Sequence, residues 1–344
     1  MSINPPAQGR KTADALVRGA RKGFLTHAYI FEGEQGLGKR EVAYYFAEAL
    51  LCENKDSSPC GECECCRQAM GKNNPDLKSY SLKELVEKDK KSIGVDDIRE
   101  IISDAYTKPF KSKYKVYIIE DADALTIAAQ NAMLKILEEP PEYIIFIICV
   151  TSAAKILSTV QSRSRIVRFS PCTDDEVRAY VKYKYPHMAD KADFAASYSQ
   201  GVLKKADELF EDGKIFSLRN RVFSILKELL TGTDELKVLK CADELDEMRQ
   251  EMLSGTKKTS SEGFSQVLDL FLSFAMDILK IKTGAFQGVV NRDMEKALGD
   301  IASCITYNKA ANCAEKVTEA LYALSRHVSF KAMSLSMCIG IWDS

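Results

Sequence analysis

Short apolar runs alternate with helical periodicity through the first half of the chain, and helical periodicity alone fills the second. Ala28-Tyr29-Ile30-Phe31 predicts a buried strand, after which Val42, Phe46, Ala49 and Leu50 recur on one face of a helix. Leu77 to Leu82 is a second strand candidate. Ile98, Ile101, Ile102 and Ala105 predict another helix, followed by the strongly β-prone run Val116-Tyr117-Ile118-Ile119 expected of a central strand. Thr126 is placed to cap a helix whose stripe is Ala129, Met133, Ile136 and Leu137, and Pro140-Pro141 stops it. Tyr143 to Val150 and Arg165 to Phe169 complete five strands. Strands separated by helices imply a parallel sheet covered on its faces, in an α/β domain ending near Ser170.

Beyond Pro171 the strand signal fades. Thr173 and Glu176 form a capping box that opens a helix, and Gly201 and Gly213 punctuate a small helical unit over 171–213. From 214 to 344 the chain reads as all-helical, with a polar linker at Ser254 to Ser261 and loops around Gly284 to Asn291 and Asn308 to Asn312.

Composition narrows the class. The 344 residues are 46% apolar and 28% charged, which describes a folded globular chain. A net charge of −1 argues against a protein that holds nucleic acid by bulk positive charge. The longest strongly apolar run, Tyr143 to Val150, is of strand length and not of membrane length, and Met1 to Arg21 lacks the pattern of a signal peptide. A cytoplasmic protein with no membrane partner is expected, so the eleven cysteines read as metal ligands or buried thiols.

Gly33-Glu34-Gln35-Gly36-Leu37-Gly38-Lys39-Arg40 lies directly after the first strand and before a helix, the context of a phosphate-binding loop. Gly33, Gly36 and Gly38 would let backbone N–H groups converge on phosphate, with Lys39 reaching the β and γ oxygens. The alternative is a strand-to-helix turn that uses glycine for backbone reasons. Arg40 stands where a metal-binding loop has the Ser or Thr that ligates Mg²⁺. Glu120-Asp121 closes the third strand where such proteins place Asp then Glu. Reversal of that order misplaces both carboxylates by about one bond length, and displacements near 1 Å can cost about a hundredfold in rate. ATP binding stays compatible with these residues; efficient hydrolysis by this chain alone does not.

Cys52, Cys60, Cys63 and Cys66 follow C-x₇-C-x₂-C-x₂-C, a spacing that lets four thiolates close around one structural Zn²⁺. Cys65 is an extra thiol able to replace a neighbour, and a redox pair is the rival reading. Cys149, Cys172, Cys241, Cys304, Cys313 and Cys338 read as buried small hydrophobes. Lys108, Lys111, Lys113 and Lys115 could touch a phosphate backbone or form a solvated loop. Ser162-Arg163-Ser164-Arg165 reads, on its own, as a solvated basic turn on the far side of the domain from the glycine loop.

The segments His27 to Phe31, the four cysteines, Ser92 to Arg99, Lys115 to Ala122, Asn131 to Pro141 and Ser162 to Ser164 resemble the clamp-loader branch of the AAA+ proteins, densely over residues 20 to 170. Gly201-Val202-Leu203-Lys204 extends the match. The resemblance implies an AAA+ P-loop domain with a parallel five-stranded sheet and a Cys₄ zinc module (1–170, module 52–66), a small helical lid (171–213) and an all-α collar (214–344). It implies membership of a hetero-pentamer with gamma/tau motor subunits and a delta subunit, which loads a sliding clamp of DNA polymerase III onto primer-template DNA. In it Arg163 takes the position of an arginine finger offered in trans, Thr151 that of the γ-phosphate sensor, and Lys204 the lid position where motors carry arginine. Arg40, Glu120-Asp121 and Lys204 point to a stator with weak or absent ATPase of its own. Ser164 departs from the family's usual Ser-Arg-Cys. The competing readings are an independent ATPase motor of the gamma/tau kind, with Arg40 tolerated, and a zinc-stapled nucleotide sensor outside replication.

Overall fold

The computed structural model describes residues 5–54, 59–71, 73–82, 92–211, 214–253, 260–324 and 329–343. Gly213 and most of the polar segment from Ser254 to Ser261 lie outside them. The chain divides into two compact units, Met1–Cys172 and Thr173–Ser344.

In the first unit α1 (Arg10–Arg21), β1 (Ala28–Glu32), α2 (Lys39–Leu51), α3 (Glu64–Met70), β2 (Leu77–Tyr80), α4 (Val95–Ala105), β3 (Lys115–Ile119), α5 (Ile127–Glu138), β4 (Ile144–Val150), α6 (Ser158–Gln161) and β5 (Arg165–Arg168) follow in order. The strands make one parallel five-stranded sheet, ordered β2-β3-β4-β1-β5. This is the parallel five-stranded α/β sheet that the sequence predicts. Every residue of β3 and β4 is buried because helices cover both sheet faces, which is why these strands read as continuous apolar runs. Tyr117 and Phe146 stack across β3 and β4 with ring centres 5.3 Å apart. Thr126 caps α5 as expected, accepting from the Ala129 N–H at 3.2 Å; such a cap contributes about 1 kcal/mol. The strand expected over 77–82 ends at Tyr80, and α1 and α3 were not foreseen.

The second unit is all-helical: α7 (Asp174–Lys184), α8 (Ala192–Ser199), α9 (Leu203–Glu211), α10 (Lys214–Thr231), α11 (Glu235–Leu253), α12 (Ser260–Lys282), α13 (Glu295–Cys304), α14 (Tyr307–Leu324) and α15 (Phe330–Trp342). Thr173 and Glu176 form the expected capping box. Phe264, Phe271 and Phe274 fill the core along α12. The buried Asp277 accepts from the backbone N–H groups of Val290 and Asn291, and Arg219 binds Asp293 through both terminal nitrogens at 2.6 and 2.7 Å. Each buried charge thus has partners, without which its desolvation would go uncompensated. The loop expected at Asn308 to Asn312 is instead the start of α14. Asparagine favours turns, but Asn312 Nδ2 donates to the Gly340 carbonyl of α15 at 2.8 Å, a tertiary contact that overrides the preference. Among the isolated cysteines, Cys149, Cys241, Cys313 and Cys338 are buried as expected, whereas Cys172 is half-buried and Cys304 exposed.

Glu48 on α2 is an exception to this pairing. It is 2% exposed, and its Oε1 has no hydrogen-bond partner among the described residues. Burial pushes its carboxyl up to about 7. The unfolded chain releases that proton near pH 4.5, so folded stability falls as pH rises from about 4.5 to 7 and stays low above. Glu48→Gln is expected to raise the Tm most above pH 7 and to have little effect below pH 4.5, measured by thermal melts across pH.

Candidate functional site: a glycine loop with its metal position closed, a thiol cluster and a remote arginine

Parallel register brings three sequence-distant loops together. Phe31 pairs with Cys149 and Glu32 with Val150, while Ile119 pairs with Ile148. The loop after β1, the pair after β3 and Thr151 after β4 therefore emerge side by side at the carboxyl ends of the strands. In an open α/β sheet this is the crevice that takes ligands.

Gly33, Gly36 and Gly38 all lie at positive φ (156°, 84° and 78°). Gly38 is additionally crowded, since a Cβ there would come within 2.8 Å of the Gln8 carbonyl oxygen. Lys39 opens α2 and curls back, its ammonium donating to the carbonyls of Gly33 and, at 2.8 Å, Glu34. Burial pushes its pKa below the ordinary lysine value, opposed by Cys149, Asp123, Glu41 and Asp121. The lysine thus rests on the loop's own carbonyls.

The metal position is closed. Arg40 Nε lies 3.1 Å from Glu120 Oε2, and Tyr44 donates its hydroxyl to Glu120 Oε1 at 2.6 Å. The Glu120 side chain is only 5% exposed while that of Arg40 is half-exposed, so the carboxylate is enclosed by its partners. Burial, with the bond to Glu120, pushes the Tyr44 phenol up to about 12. Asp121 accepts from the Leu82 N–H at 2.8 Å. A guanidinium thus neutralises the carboxylate that would face Mg²⁺, and the second carboxylate holds backbone. Carboxylates engaged in this way do not fit a metal ion. The two carboxylates thus have separate partners.

Thr151 donates its hydroxyl to Asp123 at 3.0 Å and accepts from Lys155 at 2.9 Å, while its N–H also donates to Asp123. Tyr44, Asp123 and Lys155 are site residues that sequence reasoning missed. Tyr44 had a usable signal, because it lies four residues after Arg40 and so on the same helix face. Lys204 is exposed in the first turn of α9, in the second unit.

Cys52, Cys60, Cys63 and Cys66 converge, with all four Sγ atoms within 4.8 Å of one another. Sγ separations of 4.0 Å for Cys60–Cys66 and Cys63–Cys52 approach the roughly 3.8 Å of a tetrahedral site with 2.3 Å metal–sulfur bonds. Backbone N–H groups of Cys60, Cys63 and Cys66 donate to sulfurs of the cluster at 3.4–3.5 Å, the bonds a thiolate needs. The one from Cys63 leads in pulling Cys60 down to about 7. The cluster could hold a metal ion. Cys65 faces away, towards Glu53 and Ser112, which removes it as an alternative ligand.

Arg163 lies at the other end of the sheet. Tyr29 pairs with Arg165, so Arg163 is level with residue 27, six residues before Gly33. At about 3.3 Å per residue the two are about 20 Å apart, beyond the reach of an arginine side chain. Arg163 Nη2 binds Glu138 Oε1 at 2.7 Å, and Nη1 donates to the Thr159 carbonyl at 2.8 Å and to Ser162 Oγ at 3.3 Å. Ser164 donates its hydroxyl to the Val160 carbonyl at 2.9 Å, so the serine closes the turn after α6.

The lysine cluster is only partly available. Lys115 is buried and bound to Asp104 and Thr107, and Lys111 pairs with Glu53 and Glu64. Lys108 and Lys113 remain exposed. No helix among the described residues is long and apolar enough to cross a membrane.

These features define a parallel α/β domain with a glycine-rich turn after its first strand and a neighbouring carboxylate neutralised by the chain's own arginine. Residues 8–173 match the family described as DNA polymerase III, delta subunit. The DNA polymerase III subunit gamma/tau of Mycobacterium tuberculosis is 41% identical over 161 residues, 46% of this chain and 27% of that protein. The subunit tau of Bacillus subtilis is 39% identical over 155 residues, 44% of this chain and 26% of that one. A crystal structure of a gamma-subunit-related protein from Thermotoga maritima aligns with a TM-score of 0.47 at 18% identity, covering 96% of this chain and 98% of that chain. The family match covers just under half of the chain. The matched segment spans about a quarter of the length of the gamma/tau relatives.

Proposed function

We propose that the chain is the delta-prime subunit of the bacterial DNA polymerase III clamp loader, a stator that lends Arg163 to the nucleotide of an adjacent motor subunit. The observation that carries this reading is the pairing of Arg40 with Glu120: the metal position is filled by the protein's own cation. Without a metal ion to bridge the β and γ phosphates, phosphoryl transfer loses its main charge stabilisation. Arg163, on the opposite end of the sheet, has the chemistry to stabilise charge on a neighbour's γ-phosphate. The proposal includes structural Zn²⁺ on the four cysteines, a lid over 171–213 bearing Lys204, and a collar from 214 to 344. It includes gamma/tau and delta as ring partners, with the sliding clamp and primer-template DNA engaged through the complex.

A second reading, an active motor of the gamma/tau kind, is favoured by the 41% identity to a gamma/tau protein. Reconstitution separates them. A stator is expected to form a stable pentamer with gamma/tau and delta and to carry no hydrolysable nucleotide of its own. A motor would replace gamma/tau in the assembly and sustain clamp loading without it.

A further inference from the structure

Glu138 ends α5 directly before Glu139-Pro140-Pro141, 25 residues from the arginine it contacts. We propose that Glu138 is a positioning residue, which holds the Arg163 guanidinium in the orientation needed to meet a neighbouring subunit's phosphate. The idea rests on Arg163 acting in trans and adds how the side chain is aimed.

An exposed arginine ordinarily samples many rotamers, and immobilising it costs conformational entropy at each encounter. Here the guanidinium is fixed at three points: Glu138 through Nη2, the Thr159 carbonyl and Ser162 hydroxyl through Nη1. Arginine has five N–H donors. Three are used, which leaves the Nε–H and one Nη2–H for a phosphate. The anchor itself is rigid, because Glu138 closes the last turn of a helix whose Ile136 and Leu137 are buried. The anchor and the arginine therefore move as one body, and the ordering cost is met in the free chain and not at the transition state.

The carboxylate also opposes the function it serves, since it partly neutralises the finger. The two effects separate by substitution. Glu138→Gln keeps an oxygen acceptor at the same place without the charge, whereas Glu138→Ala removes the anchor. In the reconstituted complex with motor subunits, sliding clamp and primer-template DNA, Glu138→Ala is expected to lower kcat for ATP hydrolysis at the affected site about tenfold with KM within about twofold. Glu138→Gln is expected to stay within about threefold of wild type. The double variant Glu138→Ala/Arg163→Ala is expected to match Arg163→Ala alone, because an anchor has nothing to position once the arginine is gone.

Failure is distinguishable at both levels. If Arg163→Ala is slow and Glu138→Ala runs at the wild-type rate, the anchor role is wrong and the finger stands. If both are unchanged, the finger assignment is wrong. A double variant slower than Arg163→Ala would mean that Glu138 supports the fold and not the finger. A second measurement does not depend on assembly: side-chain ¹⁵N resonances of Arg163 in the isolated chain should show hindered rotation about Cζ–Nη in wild type and in Glu138→Gln, and free rotation in Glu138→Ala. Free rotation in the wild type would overturn the proposal.

Discussion

Arg163→Ala is expected to leave folding and assembly intact while lowering the DNA-stimulated ATPase of the reconstituted clamp loader by as much as about 10³ at the affected site. The fold should tolerate the change because the side chain is surface-exposed in part and its partners, Glu138, Ser162 and the Thr159 carbonyl, can turn to water. A surface ion pair of this kind contributes at most about 1 kcal/mol. Catalysis is different. Charge on the transferring phosphoryl group is redistributed in the transition state, so an arginine placed to meet that distribution acts on kcat far more than on binding. Single-turnover hydrolysis in the complex reads the effect directly. An unchanged rate would remove Arg163 from the reaction.

Loss of the metal from the thiol cluster is the second large expected effect. Structural Zn²⁺ sites in small modules contribute on the order of 10 kcal/mol of apparent binding energy at neutral pH, and much of that is folding energy. The cluster ties the end of α2 to α3, and the short helix α3 has two cluster cysteines within or at the start of it. Metal analysis of reduced protein is expected to find about one zinc per chain, and Cys60→Ser or strong chelation should release it. Hydrogen exchange should then rise in α3 while the glycine loop and β1 stay protected, since the sheet holds those independently. Metal binding needs thiolates and so displaces protons, and with burial holding the Cys52 and Cys66 thiols above the ordinary value the affinity should increase as pH rises. Absence of metal in freshly reduced protein would overturn the zinc assignment.

How much of this was legible in the residues follows from the range of the interactions. The buried strands β3 and β4 were plain because a strand covered on both faces must be apolar throughout. The glycine loop and the cysteine spacing were plain because each is built within a few residues. Arg40 and the Glu120-Asp121 order were visibly wrong for a metal, and the cause of the closure, a guanidinium on a carboxylate 80 residues away, required the parallel register of β1, β4 and β3. The Glu138–Arg163 and Asp123–Thr151 contacts were out of reach for the same reason: they join loops whose proximity is set by strand order and not by sequence distance. Lys115 misled because a lysine beside three others looks solvated, yet its alternation within β3 turns it onto Asp104 and Thr107. The helical half was legible only as periodicity, since the buried contacts of Asp277, Asn291 and Arg219 leave no local pattern.

On the proposed function this chain cradles a nucleotide without turning it over, because Arg40 and Glu120 satisfy each other where a metal ion would work. Steady-state ATP hydrolysis by the purified chain alone, with Mg²⁺ and with primer-template DNA, tests it most directly. No turnover above that of a Lys39→Ala control is expected, whereas turnover on the order of once per second that Lys39→Ala abolishes would contradict the account.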